Sequence, residues 1–75
     1  MSAQVQKRSI TLAGHKTSLS LEEAFWVALK EEAERRKLSL NALVEEIDRT
    51  RQGNLSSAVR VHLLRQARRR NGDPD

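Results

Sequence analysis

The run Lys16-Thr17-Ser18-Leu19-Ser20-Leu21-Glu22 constrains the fold more than any other part of this 75-residue chain. It alternates polar and apolar residues, then enters a strongly apolar segment, Ala24-Phe25-Trp26-Val27-Ala28-Leu29. Period-two alternation reads as a strand, and the apolar segment after it reads as helix, so the chain is expected to be mainly α with one short strand. A strand cannot satisfy its own backbone N–H and C=O groups and must find a partner. The simplest partner is the same strand of a second copy, which makes the protein a dimer sharing a two-stranded ribbon. The one internal candidate is Ser9-Ile10-Thr11-Leu12, separated from the strand by Ala13-Gly14-His15. That loop lacks an Asn-Gly or Asp-Gly pair. Residues 9–12 therefore read either as the first strand of a hairpin or as a basic arm leading into the ribbon.

Size points the same way. A chain of 75 residues makes one domain with little apolar surface to bury. It has no cysteine, and Pro74 is its one proline, so oligomerisation is the expected remedy rather than a disulfide or metal staple. No apolar run approaches the roughly 20 residues of a membrane span. Met1 to Arg8 lack the apolar core of a secretory signal. The reading is a soluble, cytoplasmic protein with no membrane partner.

Along the chain, residues 1–6 are polar and expected to be disordered, 7–70 form the domain, and 71–75 are a polar tail. Helix one is predicted over Glu22–Arg36, with Ser20 and Glu23 at capping-box spacing. Phe25, Leu29 and Ala33 form its stripe, widened by Trp26. Ser39 caps a second helix, Leu40–Arg51, with Leu40, Leu43, Val44 and Ile47 at helical spacing. Gln52-Gly53-Asn54 breaks it, and Asn54 or Ser56 caps a third helix, Leu55–Arg70. The carboxylates Glu22-Glu23, Glu31-Glu32-Glu34 and Glu45-Glu46-Asp48 all fall on predicted polar faces and read as solvated surface. No nucleophile, base and orienter stand together, and there is no glycine-rich phosphate loop, so the chain does not read as an enzyme. Two histidines without cysteine make no metal site, and no cofactor is implied. His15 reads as solvent-exposed and His62 as a partly buried structural residue.

Charge is segregated along the chain. Residues 1–21 carry Lys7, Arg8 and Lys16 with no acid, residues 22–48 carry eight acids against four bases, and residues 49–72 carry seven arginines with no acid. Segregation of this kind points to a polyanion, most simply nucleic acid. A two-stranded ribbon is narrow enough for the major groove of B-form DNA. On it Lys16, Ser18 and Ser20 would face outward, and Thr17, Leu19 and Leu21 toward the helices. Ser39-Leu40-Asn41 opens a helix whose free N–H groups suit a phosphate oxygen. Lys7 and Arg8 are assigned to phosphates as well. Arg65, Arg68, Arg69 and Arg70 either grip flanking phosphates or complement the negative helix end. Phe25 and Trp26 are the only aromatics and read as core, which disfavours binding of single-stranded RNA by stacking.

Thr17-Ser18-Leu19-Ser20-Leu21, then a helix, then Lys37-Leu38-Ser39-Leu40-Asn41 and Leu43-Val44-Glu45-Glu46-Ile47 resembles the ribbon-helix-helix DNA-binding domain. Lys7 to Ser18, together with Gly53-Asn54-Leu55-Ser56-Ser57-Ala58-Val59-Arg60, is similar to a small bacterial subgroup of that family. Two departures stand out: Lys37 occupies the usual glycine position of the turn, and a third helix follows the second. The resemblance implies an intertwined homodimer with an intermolecular ribbon, assembling further on DNA in some cases. It implies binding of double-stranded DNA through the ribbon, usually as a transcriptional repressor associated with the nucleoid. Lys16, Ser18 and Ser20 would then be base-facing. Leu19, Leu21, Trp26, Leu29, Leu43, Val44 and Ile47 would form the shared dimer core. The alternative is a protein-interaction module, antitoxin-like or an adaptor, acting through the third helix.

Overall fold

The computed structural model describes residues 4–72. Two strands, β1 (Val5–Leu12) and β2 (His15–Glu22), precede three helices, α1 (Glu23–Arg36), α2 (Leu40–Thr50) and α3 (Leu55–Arg70). The expectation of one strand with its partner in a second copy is corrected here. β2 pairs antiparallel with β1 of the same chain, in a register that sets Leu12 opposite His15 and Val5 opposite Glu22. Ala13 and Gly14 form the two-residue turn, with φ of 51° and 83°. Positive φ at both positions matches the right-handed twist of the strands, and alanine here takes the place usually held by asparagine. Residues 5 and 6, read from sequence as disordered, belong to β1. Residues 1–3 and 73–75 lie outside the described residues.

Both hairpin edges are tied to helices. The Asn41 side chain on α2 grips β1 at Thr11: its Nδ2 donates to Thr11 O at 2.8 Å, and its Oδ1 accepts from Thr11 N–H at 3.4 Å. Glu45, one turn along, accepts from Ala13 N–H at 3.1 Å. On the β2 side, the Ser56 hydroxyl of α3 donates to Ser20 O at 2.9 Å. Because Thr11 directs both backbone groups away from β2, the Thr11–Lys16 pair is non-hydrogen-bonded. Antiparallel alternation extends this to Ser9–Ser18 and Lys7–Ser20. Lys16 and Ser18 consequently turn their backbone groups toward the outer edge of β2.

The core lies between the inner hairpin face and the helices. Leu19, Leu21, Trp26, Leu29, Leu43, Val44 and Ile47 are all buried, at 5% exposure or less, within a single chain. Ile10 of β1 and Val59 and Leu63 of α3 join them. These seven residues were expected as a core shared between subunits. The added helix completes that core inside one chain by supplying apolar area that the ribbon and first two helices lack. Trp26 also uses its polar edge, with Nε1 donating to Gln6 O at 3.0 Å.

The helix ends follow local chemistry. Ser39 Oγ accepts from Ala42 N–H at 3.0 Å and Asn54 Oδ1 from Ser57 N–H at 2.8 Å, so both are side-chain caps. The capping box expected from Ser20 and Glu23 does not form. Ser20 still lies in β2, and the residue preceding α1 is Glu22, which makes no side-chain cap. Lys37 ends α1 with φ 57° and ψ 41°. Leu38 N–H donates to Ala33 O at 2.9 Å and Lys37 N–H to Glu34 O at 3.1 Å, which is the Schellman arrangement. A left-handed residue bearing a Cβ is strained by about 1–2 kcal/mol, while glycine adds about 0.5–1 kcal/mol of unfolded-state entropy. Lys37→Gly is therefore expected to stabilise the fold by about 0.5–1 kcal/mol, read as a raised urea midpoint at unchanged slope. An unchanged or lowered midpoint contradicts the strain argument.

Candidate nucleic-acid interface

Side chains alternate across the hairpin, and the pairing register fixes two rows. Arg8, Ile10, Thr17, Leu19 and Leu21 share the face toward the helices. Lys7, Ser9 and Thr11 of β1 share the opposite face with Lys16, Ser18 and Ser20 of β2. That outer face carries two ammonium groups and four hydroxyls over three successive cross-strand pairs. Lys7, Ser9, Lys16 and Ser18 are exposed, while Thr11 and Ser20 are partly buried. The outer-face placement of Lys16, Ser18 and Ser20 agrees with their spacing in the sequence. Ser9 and Thr11 did not emerge from the sequence as site residues, because residues 9–12 read equally well as an arm. The signal was present in their alternation and in the Ala13-Gly14 pair.

The residues assigned to phosphates separate into three groups. Lys7 stands on the outer face. Arg8 stands on the other: its guanidinium lies 4.7 Å from the Trp26 ring centroid and donates to Gln6 Oε1 at 3.2 Å, a cation–π seat at the rim of the core. Ser39, Leu40 and Asn41 lie at the start of α2, beside Thr11 and the hairpin turn. There Ser39 caps the helix, Leu40 packs against the core, and the Asn41 amide is bound to β1. Arg65, Arg68, Arg69 and Arg70 lie 9 to 14 residues beyond Ser56, the α3 residue that touches β2. At about 1.5 Å per residue this places them about 14–21 Å along the helix from the ribbon edge.

Electrostatics set the frame around this face. Glu22 closes β2 and accepts from Arg60 Nε at 2.9 Å, while the Arg60 guanidinium lies 5.8 Å from the Phe25 ring centroid. Its own backbone N–H and then Arg60 hold the Glu22 carboxyl below its ordinary value. Arg36 on α1 binds Glu46 on α2 with both terminal nitrogens, and that hydrogen bonding lowers the Glu46 carboxyl. Glu32, expected as solvated surface, is instead 3% exposed. The burial has a plain cause: α3 folds across it, bringing Arg70 Nη1 to 3.7 Å and His62 Nε2 to 3.9 Å, while Arg35 pairs with it from α1.

His62 is half-buried, and burial lowers its affinity for a proton despite Glu32 nearby. A neutral histidine in the native state binds fewer protons than the unfolded chain. Stability then rises with pH through that window. The contribution is whole above 6.5, the ordinary value, and is lost as pH falls through the depressed folded value. Glu22 and Glu46 act lower, since their contribution is lost as pH falls below 4.5. Denaturant titrations across this range are expected to show two separate losses, with His62→Gln removing the upper one. A variant retaining the upper loss would assign it elsewhere.

Residues 5–67 match the family described as "Ribbon-helix-helix domain". The chain belongs to the ribbon-helix-helix family. Among solved structures, this ribbon-helix-helix protein is similar to an uncharacterized protein from Bordetella pertussis Tohama I, at 36% identity and a TM-score of 0.77. The likeness covers 95% of this chain and 62% of that one, so the chain spans under two thirds of the length of its structural relative. No curated protein matches it. Membership in the family supports DNA binding and transcription regulation in general. Among the described residues no helix is long and apolar enough to cross a membrane.

Proposed function

We propose that the chain binds duplex DNA sequence-specifically, as a homodimer, by seating the outer face of the hairpin in the major groove, and that it represses transcription. The observation that carries this reading is the outer face itself. Two lysines and four hydroxyl residues occupy a ribbon two strands wide, which the roughly 12 Å groove admits. Lysine donates to guanine O6 and N7, and hydroxyls bond several base edges. Ser18 and Lys16, both exposed, are assigned as base readers, with exposed Ser9 paired to Ser18 and partly buried Ser20 at the other end. Lys7 and the N-terminus of α2 at Ser39-Leu40-Asn41 are assigned to the sugar–phosphate backbone. Two copies related by a two-fold axis carry two such faces, which demands a palindromic site. The test is selection of bound fragments from random duplex DNA. An enriched inverted repeat is expected, and enrichment of no motif would overturn sequence-specific binding.

A second reading has one specific observation in its favour. Val61 and Leu64 of α3 are exposed beside a groove lined by Ala24, Phe25 and Ala28 of α1. Such a face suits a protein partner acting through the third helix, and it is compatible with a DNA-binding hairpin elsewhere on the molecule.

A further inference from the structure

A groove of about 380 Å³ runs between α1 and α3, lined by the small side chains of Ala24, Ala28 and Ala67 and by Val61 and Leu64. Val27, three residues from Ala24, borders it. Val27, Val61 and Leu64 are three of the four large apolar residues exposed among those described, whereas such residues ordinarily scatter singly over a surface. The charges that flank these apolar positions differ in sign between the two helices. On α1, Glu23 and Glu31 stand one turn to either side of Val27. On α3, Arg68 stands one turn beyond Leu64, and Arg65 one turn beyond Val61. The side chains of these four form no ion pair among the described residues. The other two arginines nearby are already engaged, Arg35 by Glu32 and Arg60 by Glu22. The two helices run side by side in the same direction: Glu22 meets Arg60 and Glu32 meets Arg70, both pairs 38 positions apart.

We propose that this α1–α3 face is the contact between two copies of the chain, related by a two-fold axis parallel to the two helices. The inference rests on the homodimer of the DNA-binding reading and gives it an interface built from helices rather than from the ribbon. Such an axis lays α1 of one copy on α3 of the other with their directions kept, and symmetry makes every contact twice. The offset of 38 positions then sets the register. Leu64 comes level with the gap between Ala24 and Ala28 of the other copy, and Arg68 comes within one residue of the level of Glu31. Apolar side chains meet the alanine trough, and acid meets base at its border. A two-fold axis across the helices would instead set α3 on α3, with Arg65 and Arg68 against their own copies, and like charges oppose that arrangement. The face is about 21 Å long and two helix diameters, about 20 Å, wide, so two copies cover about 800 Å² of projected surface. That is the low end of specific interfaces, and pairing is expected at micromolar rather than nanomolar concentration. In dilute solution the chain is then single and Leu64 is exposed.

Sedimentation velocity on the full chain without DNA tests the contact. A reversible monomer–dimer equilibrium is expected across the micromolar to millimolar range. Leu64→Glu, which sets a carboxylate against the alanine trough and beside Glu31 of the other copy, is expected to leave the chain monomeric throughout. Glu31→Arg and Arg68→Glu, made singly, are each expected to weaken association at least about fivefold, because each turns two attractive contacts into repulsive ones. The double variant restores opposite charge and should return to within about twofold of the parent. Glu31 and Arg68 are exposed, so this charge swap decides the question even where Leu64→Glu fails to fold, which circular dichroism reads. A parent that stays monomeric across the range, a folded Leu64→Glu variant that still dimerises, or a double variant no stronger than the singles overturns the interface. The DNA reading is scored separately. A chain monomeric in free solution that still selects an inverted repeat overturns this contact alone. A dimer with the expected charge dependence that selects no motif overturns the DNA reading alone.

Discussion

Replacing Lys16 and Ser18 with alanine is expected to abolish sequence-specific DNA binding and leave the fold intact. Both side chains are exposed on the outer hairpin face, and neither touches the core. A good base contact discriminates by about 1–3 kcal/mol, so losing two per chain, and four in the proposed homodimer, removes most of the gap between specific and non-specific affinity. Lys7→Ala, on the same face but assigned to phosphate, should behave differently. It should weaken binding to all sequences alike and lower the slope of log affinity against log salt by about one per chain. Mobility-shift titrations on selected and scrambled duplexes, at several salt concentrations, separate the two patterns. Unchanged discrimination in the Lys16, Ser18 variant would remove the hairpin face from the mechanism.

The second large effect is expected from neighbours on α3. Leu63 lies in the core at 7% exposure, and Leu64, the next residue, is 56% exposed. Leu63→Ala should destabilise the fold by about 2–5 kcal/mol through lost burial and the cavity left behind. Leu64→Ala should fall within about 0.5 kcal/mol of the parent. A domain of this size has roughly 4–11 kcal/mol in total, so the Leu63 variant should be unfolded in part at 37 °C and lose DNA binding with it. Urea unfolding of the two variants gives the comparison. Equal, small effects would mean that α3 is an appendage and that the core closes without it.

Much of this architecture is legible in the residues. Period-two spacing placed Lys16, Ser18 and Ser20 opposite Leu19 and Leu21, and the structure keeps those faces. Ser39 and Asn54 declared their helices through cap chemistry, and the limits of α3 match the sequence reading. What escaped were features that depend on contacts distant in sequence. The pairing of β1 rests on a left-handed Ala13 and on Asn41, 30 residues from the Thr11 backbone that it binds. The burial of Glu32 rests on Arg70 and His62 folding over from α3. Arg8 looked like one more N-terminal cation until Trp26 took its guanidinium. The face of Lys7 was beyond reach for the same reason: strand parity means nothing until the strand exists.

The closed core has a consequence for how the protein responds to its own abundance. Subunits that interleave their cores have no folded monomer, and their stability is inseparable from concentration. Here Val59 and Leu63 let one chain bury Leu19, Leu21 and Val44 by itself, so acquiring a native structure is a first-order event. The proposed pairing of two copies on an operator would then be a separate, second-order one. Occupancy of that proposed site would climb with the square of protein concentration, which is a threshold response.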